Sequence, residues 1–158
     1  MNIKIVNQGK DISRVIINDP ETYNSLSKKN LLDLIKVFKK LDNDKNVKVI
    51  ILEGAGKGFS AGHNLKEVRG LKKKENYQKL FNLCSKLMLQ IVEGRKPVIA
   101  KVHGAAYAAG CQLAASCDLA YSSKDALFAT PGVNIGLFCS TPMVAVSRKI
   151  NRKPMMKM

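Results

Sequence analysis

Two turns rich in small residues carry the most chemistry in this chain. Gly54-Ala55-Gly56-Lys57-Gly58-Phe59-Ser60-Ala61-Gly62-His63-Asn64-Leu65-Lys66 follows the apolar run Val47–Leu52. His103-Gly104-Ala105-Ala106-Tyr107-Ala108-Ala109-Gly110-Cys111-Gln112 follows a second such run, Pro97–Val102. A strand that turns through small residues into a helix aims unpaired backbone N–H groups at one spot. Two such turns side by side can hold an oxygen that becomes negative during a reaction. Such donors belong to the main chain, so no particular side chain is needed to supply them.

The elements that must position these turns are legible from hydrophobic spacing. Ile3–Val6 and Val15–Ile17 read as strands around a Gln8-Gly9-Lys10-Asp11 turn. Ser27 is placed to cap a helix whose Leu31, Leu34, Ile35, Phe38 and Leu41 fall on one stripe, with lysines opposite. Val47–Leu52 suits a strand covered on both faces. A second helix spans about 75–93, with Leu80, Leu83, Cys84, Leu87, Met88 and Ile91 on its apolar side. Pro97–Val102 and Leu119–Tyr121 are further strands, separated by a short helix of small residues over Gly110–Ser116. Thr141-Pro142 is an N-cap and first-turn pair for a helix to about Ile150, and Lys153-Pro154 opens another. Strands alternating with helices imply an α/β architecture with right-handed crossovers. The chain reads as ending inside an element, so a helical C-terminal part is expected beyond it.

Bulk properties narrow the function classes. The 158 residues suffice for one domain with a core, and 46% of them are hydrophobic. No apolar run approaches the ~20 residues of a membrane span, so no membrane insertion is expected. The four cysteines, Cys84, Cys111, Cys117 and Cys139, form no C-x-x-C pair, and His63 and His103 complete no zinc spacing with them. Buried thiols in a reduced compartment follow, with no metal. The first residues read as a strand rather than a secretion signal or transit peptide, which points to the cytoplasm, or to the mitochondrial matrix in a eukaryote. Net charge is +15, mostly lysine scattered over the whole length. No Arg-rich stripe with interleaved aromatics and no recognition helix accompany it, so specific nucleic-acid binding is not expected. Salt-sensitive attraction to polyanions, phosphate-bearing cofactors included, remains.

The segments Asn24-Ser25-Leu26, Phe59–Lys66, Gly104–Asp118 and Phe128–Gly136 resemble, in order and over essentially the whole chain, the crotonase (enoyl-CoA hydratase/isomerase) superfamily. The resemblance implies a ClpP/crotonase-like ββα spiral, with residues 1–158 a single core domain lacking the family's C-terminal helices. It implies acyl-CoA thioester substrates in fatty-acyl metabolism, with coenzyme A arriving as part of the substrate and no permanently bound cofactor. The oxyanion-hole N–H groups then fall on His63 and Ala109, where Ala109 replaces a usual glycine and narrows the space beside the thioester. The pantetheine arm is expected against Ala61, His63, Asn64 and Leu65, and the nucleotide near Tyr23 and Lys66. Ala108, Pro131 and Gly132 border the acyl group. Glu21 stands where the family often has a basic residue near the nucleotide. A homotrimer or dimer of trimers is the assembly implied for the full-length protein.

The same resemblance exposes a gap. Hydratases of this family use two glutamates, and their positions here hold Gln112 and Gly132. Gln112 can donate and accept hydrogen bonds but cannot take a proton at neutral pH, and Gly132 can do neither. Asn134 can orient a water, His63 can titrate near neutrality, and Cys139, Ser140 and Thr141 can line the acyl pocket. An enoyl-CoA hydratase/isomerase-like enzyme that stabilises a thioester enolate is the first expectation. A non-catalytic acyl-CoA-binding protein is the second, and a nucleic-acid module, resting on charge alone, the third.

Overall fold

A computed structural model describes residues 2–158. Strand β1 (Ile3–Gln8) pairs antiparallel with β2 (Ile12–Ile17) across a turn in which Gly9 takes φ +70°. β2 runs parallel to β3 (Val49–Gly54), β3 to β5 (Val98–Val102) and β5 to β7 (Leu119–Ser122). The large sheet therefore has the order β1-β2-β3-β5-β7. Its inward side chains, Val15, Ile17, Ile50, Leu52, Val98 and Ala100, are at most 2% exposed. They pack against α1 (Lys28–Asn43) and α3 (Lys74–Val92), which contribute Leu31, Leu34, Phe38, Leu87 and Ile91 to one core. Ser27 caps α1 as expected, its hydroxyl accepting from the Asn30 amide at 3.2 Å.

On the sheet's other face, register aligns Glu53 of β3 with Lys101 of β5 and Tyr121 of β7. Glu53 is 6% exposed, and a buried carboxylate needs partners. It has two, an ion pair with Arg14 and one with Lys101 at 3.2 Å.

Several boundaries differ from expectation. β3 starts at Val49, because Val47 bonds back to Asp44 and Lys48 bonds to Asp11 before sheet pairing begins. The last long helix, α5 (Ser140–Ser147), has Cys139 rather than Thr141 at its N-cap and stops short of Ile150. Thr141 is inside it because its hydroxyl turns to Gln112 instead of capping the backbone. α6 spans Arg152–Met155. Both glycine-bearing turns contain strands that periodicity does not reveal. β4 (Gly58–Ser60), β6 (Ala105–Tyr107) and β8 (Leu127–Ala129) form a second, parallel sheet in the order β4-β6-β8. Strands of three residues are too short to display alternation, and here tertiary pairing makes them. The short α2 (Leu65–Gly70) and α4 (Ala109–Ser116) each follow a strand of this small sheet.

Candidate functional site

The small sheet exists to press two turns together. β4 exits through Ala61 and Gly62 into His63 and Asn64, where the Asn64 side chain caps α2 by accepting from the Lys66 and Glu67 amides at 3.1 Å. β6 exits through Ala108 directly into α4. Gly62 takes φ +87°, and a Cβ there would lie 2.9 Å from the Tyr107 carbonyl oxygen and 3.0 Å from the Ala109 nitrogen. Gly110 fits still more tightly, since its Cβ would be 2.1 Å from the Ser60 carbonyl oxygen. The His63 and Ala109 amides consequently lie on adjoining turns. Among the described residues neither has a hydrogen-bond acceptor. Ala109 is the first residue of α4, so its N–H is one of the unpaired helix-end donors.

A clamp from the segment before α1 holds the first turn. Asn24, fully buried with φ 54°, donates from Nδ2 to the carbonyls of Ala55 (2.7 Å) and Gly58 (2.8 Å), and its Oδ1 accepts from the Asp19 amide. Ser60 Oγ donates to the Asn24 carbonyl at 2.9 Å, the Ala61 amide to the Tyr23 carbonyl, and the Leu26 amide to the Gly62 carbonyl. The second turn carries strain instead. Ala108 takes φ 47° and ψ −119°, outside the regions an L-residue favours. The residue in this turn whose conformation calls for glycine is thus Ala108, whereas Ala109 is already helical.

Both turns border an apolar cavity of about 690 Å³. Its lining includes His63, Leu65 and Val68, Phe81 and Cys84 of α3, and Ala108 and Ala109. Pro131–Gly132, Asn134, Leu137–Phe138 and Cys139–Pro142 complete it. Of the residues singled out from sequence, Ala61, His63, Leu65, Ala108, Ala109, Pro131, Gly132 and Asn134 meet here. Tyr23, Asn64, Lys66 and Gln112 lie outside the wall. Tyr23 is 51% exposed, Lys66 is exposed beside the capping Asn64, and Gln112 is buried behind the wall with Oε1 accepting from Thr141 Oγ1 at 3.1 Å. A Cβ on Gly132 would sit 2.6 Å from Cys139 Sγ and 2.8 Å from the Leu137 carbonyl, so nothing larger than glycine fits as the loop stands. Asn134 is exposed on the 3-10 turn Pro131–Ile135.

The His63 ring meets the edge of Phe81, centroids 5.3 Å apart at 78°, and its Nδ1 lies 3.3 Å from the Leu26 carbonyl. Burial lowers its pKa, only partly countered by that hydrogen bond and the nearby Glu67 charge. Burial likewise pushes the Cys84 and Cys117 thiols up to about 12 and Cys111 up to about 11, which leaves them protonated and inert. Among the described residues no three His, Cys, Asp or Glu side chains cluster as a metal site would require.

Sequence reasoning missed Phe81, Val68, Leu137 and Phe138 as cavity residues, and the clamping role of Asn24. Phe81 left a faint signal, a large aromatic beside rather than within the α3 apolar stripe. Asn24 stood out only as part of the resembling segment Asn24-Ser25-Leu26, and its clamp stayed hidden because its partners lie 31 and 34 residues away.

A fold of one mixed and one parallel sheet that brings two acceptor-free amides to an apolar cavity defines a class of protein, and its similarity to known proteins agrees on which. The family model described as enoyl-CoA hydratase/isomerase matches residues 7–158. The chain belongs to that family, the crotonases. It is 46% identical over 156 residues to the Xenopus laevis mitochondrial enoyl-CoA hydratase domain-containing protein 3, covering 99% of this chain and 53% of that protein. A crystal structure of an enoyl-CoA hydratase from Mycobacterium smegmatis superimposes with a TM-score of 0.96 at 44% identity, over 100% of this chain and 62% of that one. The crystal structure of human enoyl-CoA hydratase domain-containing protein 3 does so with a TM-score of 0.94 at 41% identity, over 100% and 62%. The chain thus spans about half the length of the curated relatives it matches.

Proposed function

We propose that this chain binds acyl-CoA thioesters and holds the thioester oxygen between the N–H groups of His63 and Ala109, stabilising an enolate-like state. The observation that carries the reading is the pair of amides on touching turns, acceptor-free among the described residues, that border an apolar cavity. Each aimed donor is worth roughly 2.7–4 kcal/mol of barrier when charge develops on the oxygen. The apolar wall suits an acyl chain, and exclusion of water strengthens both hydrogen bonds. The activity is enoyl-CoA hydratase/isomerase-like, in fatty-acyl metabolism, consistent with the name of the mycobacterial relative.

Coenzyme A enters as part of the substrate, with its pantetheine arm along Ala61–Leu65, where Asn64 keeps the capped α2 in place. Its nucleotide lies toward Tyr23 and Lys66, and no permanent cofactor is required. Residues 1–158 are one core domain, and the full-length protein assembles as a homotrimer or dimer of trimers. It resides in the cytoplasm or, in line with the names of its vertebrate relatives, in the mitochondrial matrix. No helix among the described residues is long and apolar enough to cross a membrane.

A second reading, acyl-CoA binding without turnover, draws support from the two positions where hydratases carry glutamates. Gln112 is engaged with Thr141, and the space at Gly132 is taken by Cys139 Sγ. General acid–base catalysis contributes about 10²–10⁴-fold, so ordinary hydration is expected to be slow. Calorimetry of acetoacetyl-CoA against free CoA at physiological salt tests the common part. Clearly tighter binding of the thioester is expected, whereas equal and salt-sensitive binding refutes the oxyanion pocket.

A further inference from the structure

His63 supplies more to this cavity than its backbone. The Leu26 carbonyl can only accept, so the Nδ1 that lies 3.3 Å from it carries the hydrogen. In the neutral ring the lone pair is then on Nε2. Nε2 has no hydrogen-bond partner among the described residues, yet no buried side-chain nitrogen or oxygen there is left unpartnered. Nε2 therefore keeps accessible surface, and His63 is one of the residues that line the cavity. Contact with the Phe81 edge and the bond to Leu26 fix the ring from two sides.

Among the described residues no Asp, Glu, Lys or Arg lines this cavity. The other titratable side chains on its wall are Cys84 on α3, Tyr107 on β6 and Cys139 before α5, and Cys84 remains a thiol because burial lifts it to about 12. Glu67 on α2 acts on the imidazole by charge, while its Oε2 accepts from the Lys28 amide at 3.0 Å. Among the described residues His63 is thus the one on the cavity wall whose ordinary titration lies near neutrality. Burial favours its neutral, proton-accepting form.

From this geometry we propose that His63 Nε2 is the base that removes the α-proton of the bound acyl-CoA, in place of the carboxylates absent at Gln112 and Gly132. The proposal rests on the acyl-CoA reading above. In the step, the C–H bond next to the thioester carbonyl breaks and its proton moves to Nε2. The electron pair enters the enolate, whose charge falls on the oxygen between the His63 and Ala109 amides. The negative enolate offsets the burial penalty on the imidazolium. Return of the proton to the same carbon regenerates the substrate. Its delivery to the γ-carbon of an unsaturated acyl group shifts the double bond, and neither path needs water or an oxidant. The site is thereby suited to enolisation and isomerisation rather than hydration.

The test follows α-proton exchange of butyryl-CoA in D2O by NMR, with calorimetric binding of butyryl-CoA and CoA measured in parallel. The wild-type chain should exchange the α-protons above background, at a rate that rises with pH through the imidazole ionisation and then levels. His63→Asn keeps an N–H to meet Leu26 but has no base, and His63→Gln is the companion variant. Both should lose about a hundredfold or more in exchange while retaining thioester binding. An Asn variant that exchanges within about threefold of wild type overturns the proposal, and so does wild-type binding without exchange; both leave the acyl-CoA reading intact. A wild-type exchange rate that falls as pH rises through the imidazole ionisation also overturns it, whether or not the variants fold. Failure of the wild type to prefer butyryl-CoA over CoA removes the acyl-CoA reading, and the base with it.

Discussion

Replacement of Gly110 by alanine tests whether contact between the two turns makes the site. The added Cβ would lie 2.1 Å from the Ser60 carbonyl oxygen, 2.8 Å from its carbonyl carbon and 2.9 Å from its Cβ. Ordinary contact begins near 3.4 Å, so the turns must separate by about 1.3 Å. Ser60 cannot yield cheaply, because it pairs with Ala106 in the small sheet and its hydroxyl is bonded to Asn24. Overpacking of this kind costs about 1–3 kcal/mol of stability. A displacement of ~1 Å at a reacting centre is worth ~10²-fold. Urea unfolding should register the first loss, and calorimetry should show the preference for acetoacetyl-CoA over CoA falling about a hundredfold. Gly70→Ala is the control, since a Cβ at that helix end meets nothing within 4 Å and should be neutral or stabilising by up to about 1 kcal/mol. A Gly110→Ala chain with wild-type stability and an undiminished thioester preference would refute the argument that close packing of the turns aligns the amides.

Four further outcomes follow from the same geometry. Asn24→Ala removes three hydrogen bonds from a fully buried site and leaves alanine at φ 54°, so a loss of roughly 3 kcal/mol or more is expected in urea; under 1 kcal/mol would contradict the clamp. Gly132→Glu should not install hydratase turnover in an enoyl-CoA hydration assay. It should also lower the melting temperature, and adding Cys139→Ala should relieve only part of that, because the Leu137 carbonyl still stands 2.8 Å from the new Cβ. Ala108→Gly should stabilise by up to about 1 kcal/mol, as relief of 1–3 kcal/mol of backbone strain exceeds the extra chain entropy; destabilisation would show that Ala108 is not strained. Stability should also fall with acid through His63. Its folded pKa is below 6.5, so the unfolded chain binds a proton that the folded chain does not. This contribution is complete above about pH 6.5 and declines below it, and His63→Gln should flatten that part of a stability–pH curve.

Several elements follow from local chemistry. The stripes through Leu31–Leu41 and Leu80–Ile91 name α1 and α3, and Ser27 caps the first of them as its residue type requires. The β-branched runs name the parallel strands of the large sheet, with β3 displaced by two residues because Val47 and Lys48 are held by Asp44 and Asp11. The two turns were legible because strand, small residues and helix follow one another within a few positions.

By itself, then, the amino-acid order determined the α/β class, the main helices and sheet strands, and the residues whose amides end the two turns. Tertiary structure decided the rest. β4, β6 and β8 are three residues each and exist only because they pair with one another. The left-handed strain falls on Ala108 rather than on Ala109, a matter of where β6 meets α4. Gln112 turns to Thr141, 29 positions away, and Cys139 fills the space at Gly132. Phe81 crosses from α3 to His63, and Leu26 dictates which nitrogen of that ring keeps its hydrogen. Periodicity and caps are interactions between near neighbours and are written in the chain. Which groups share a cavity, and which lone pair faces it, depends on contacts between distant segments that come into being only when the two sheets pack.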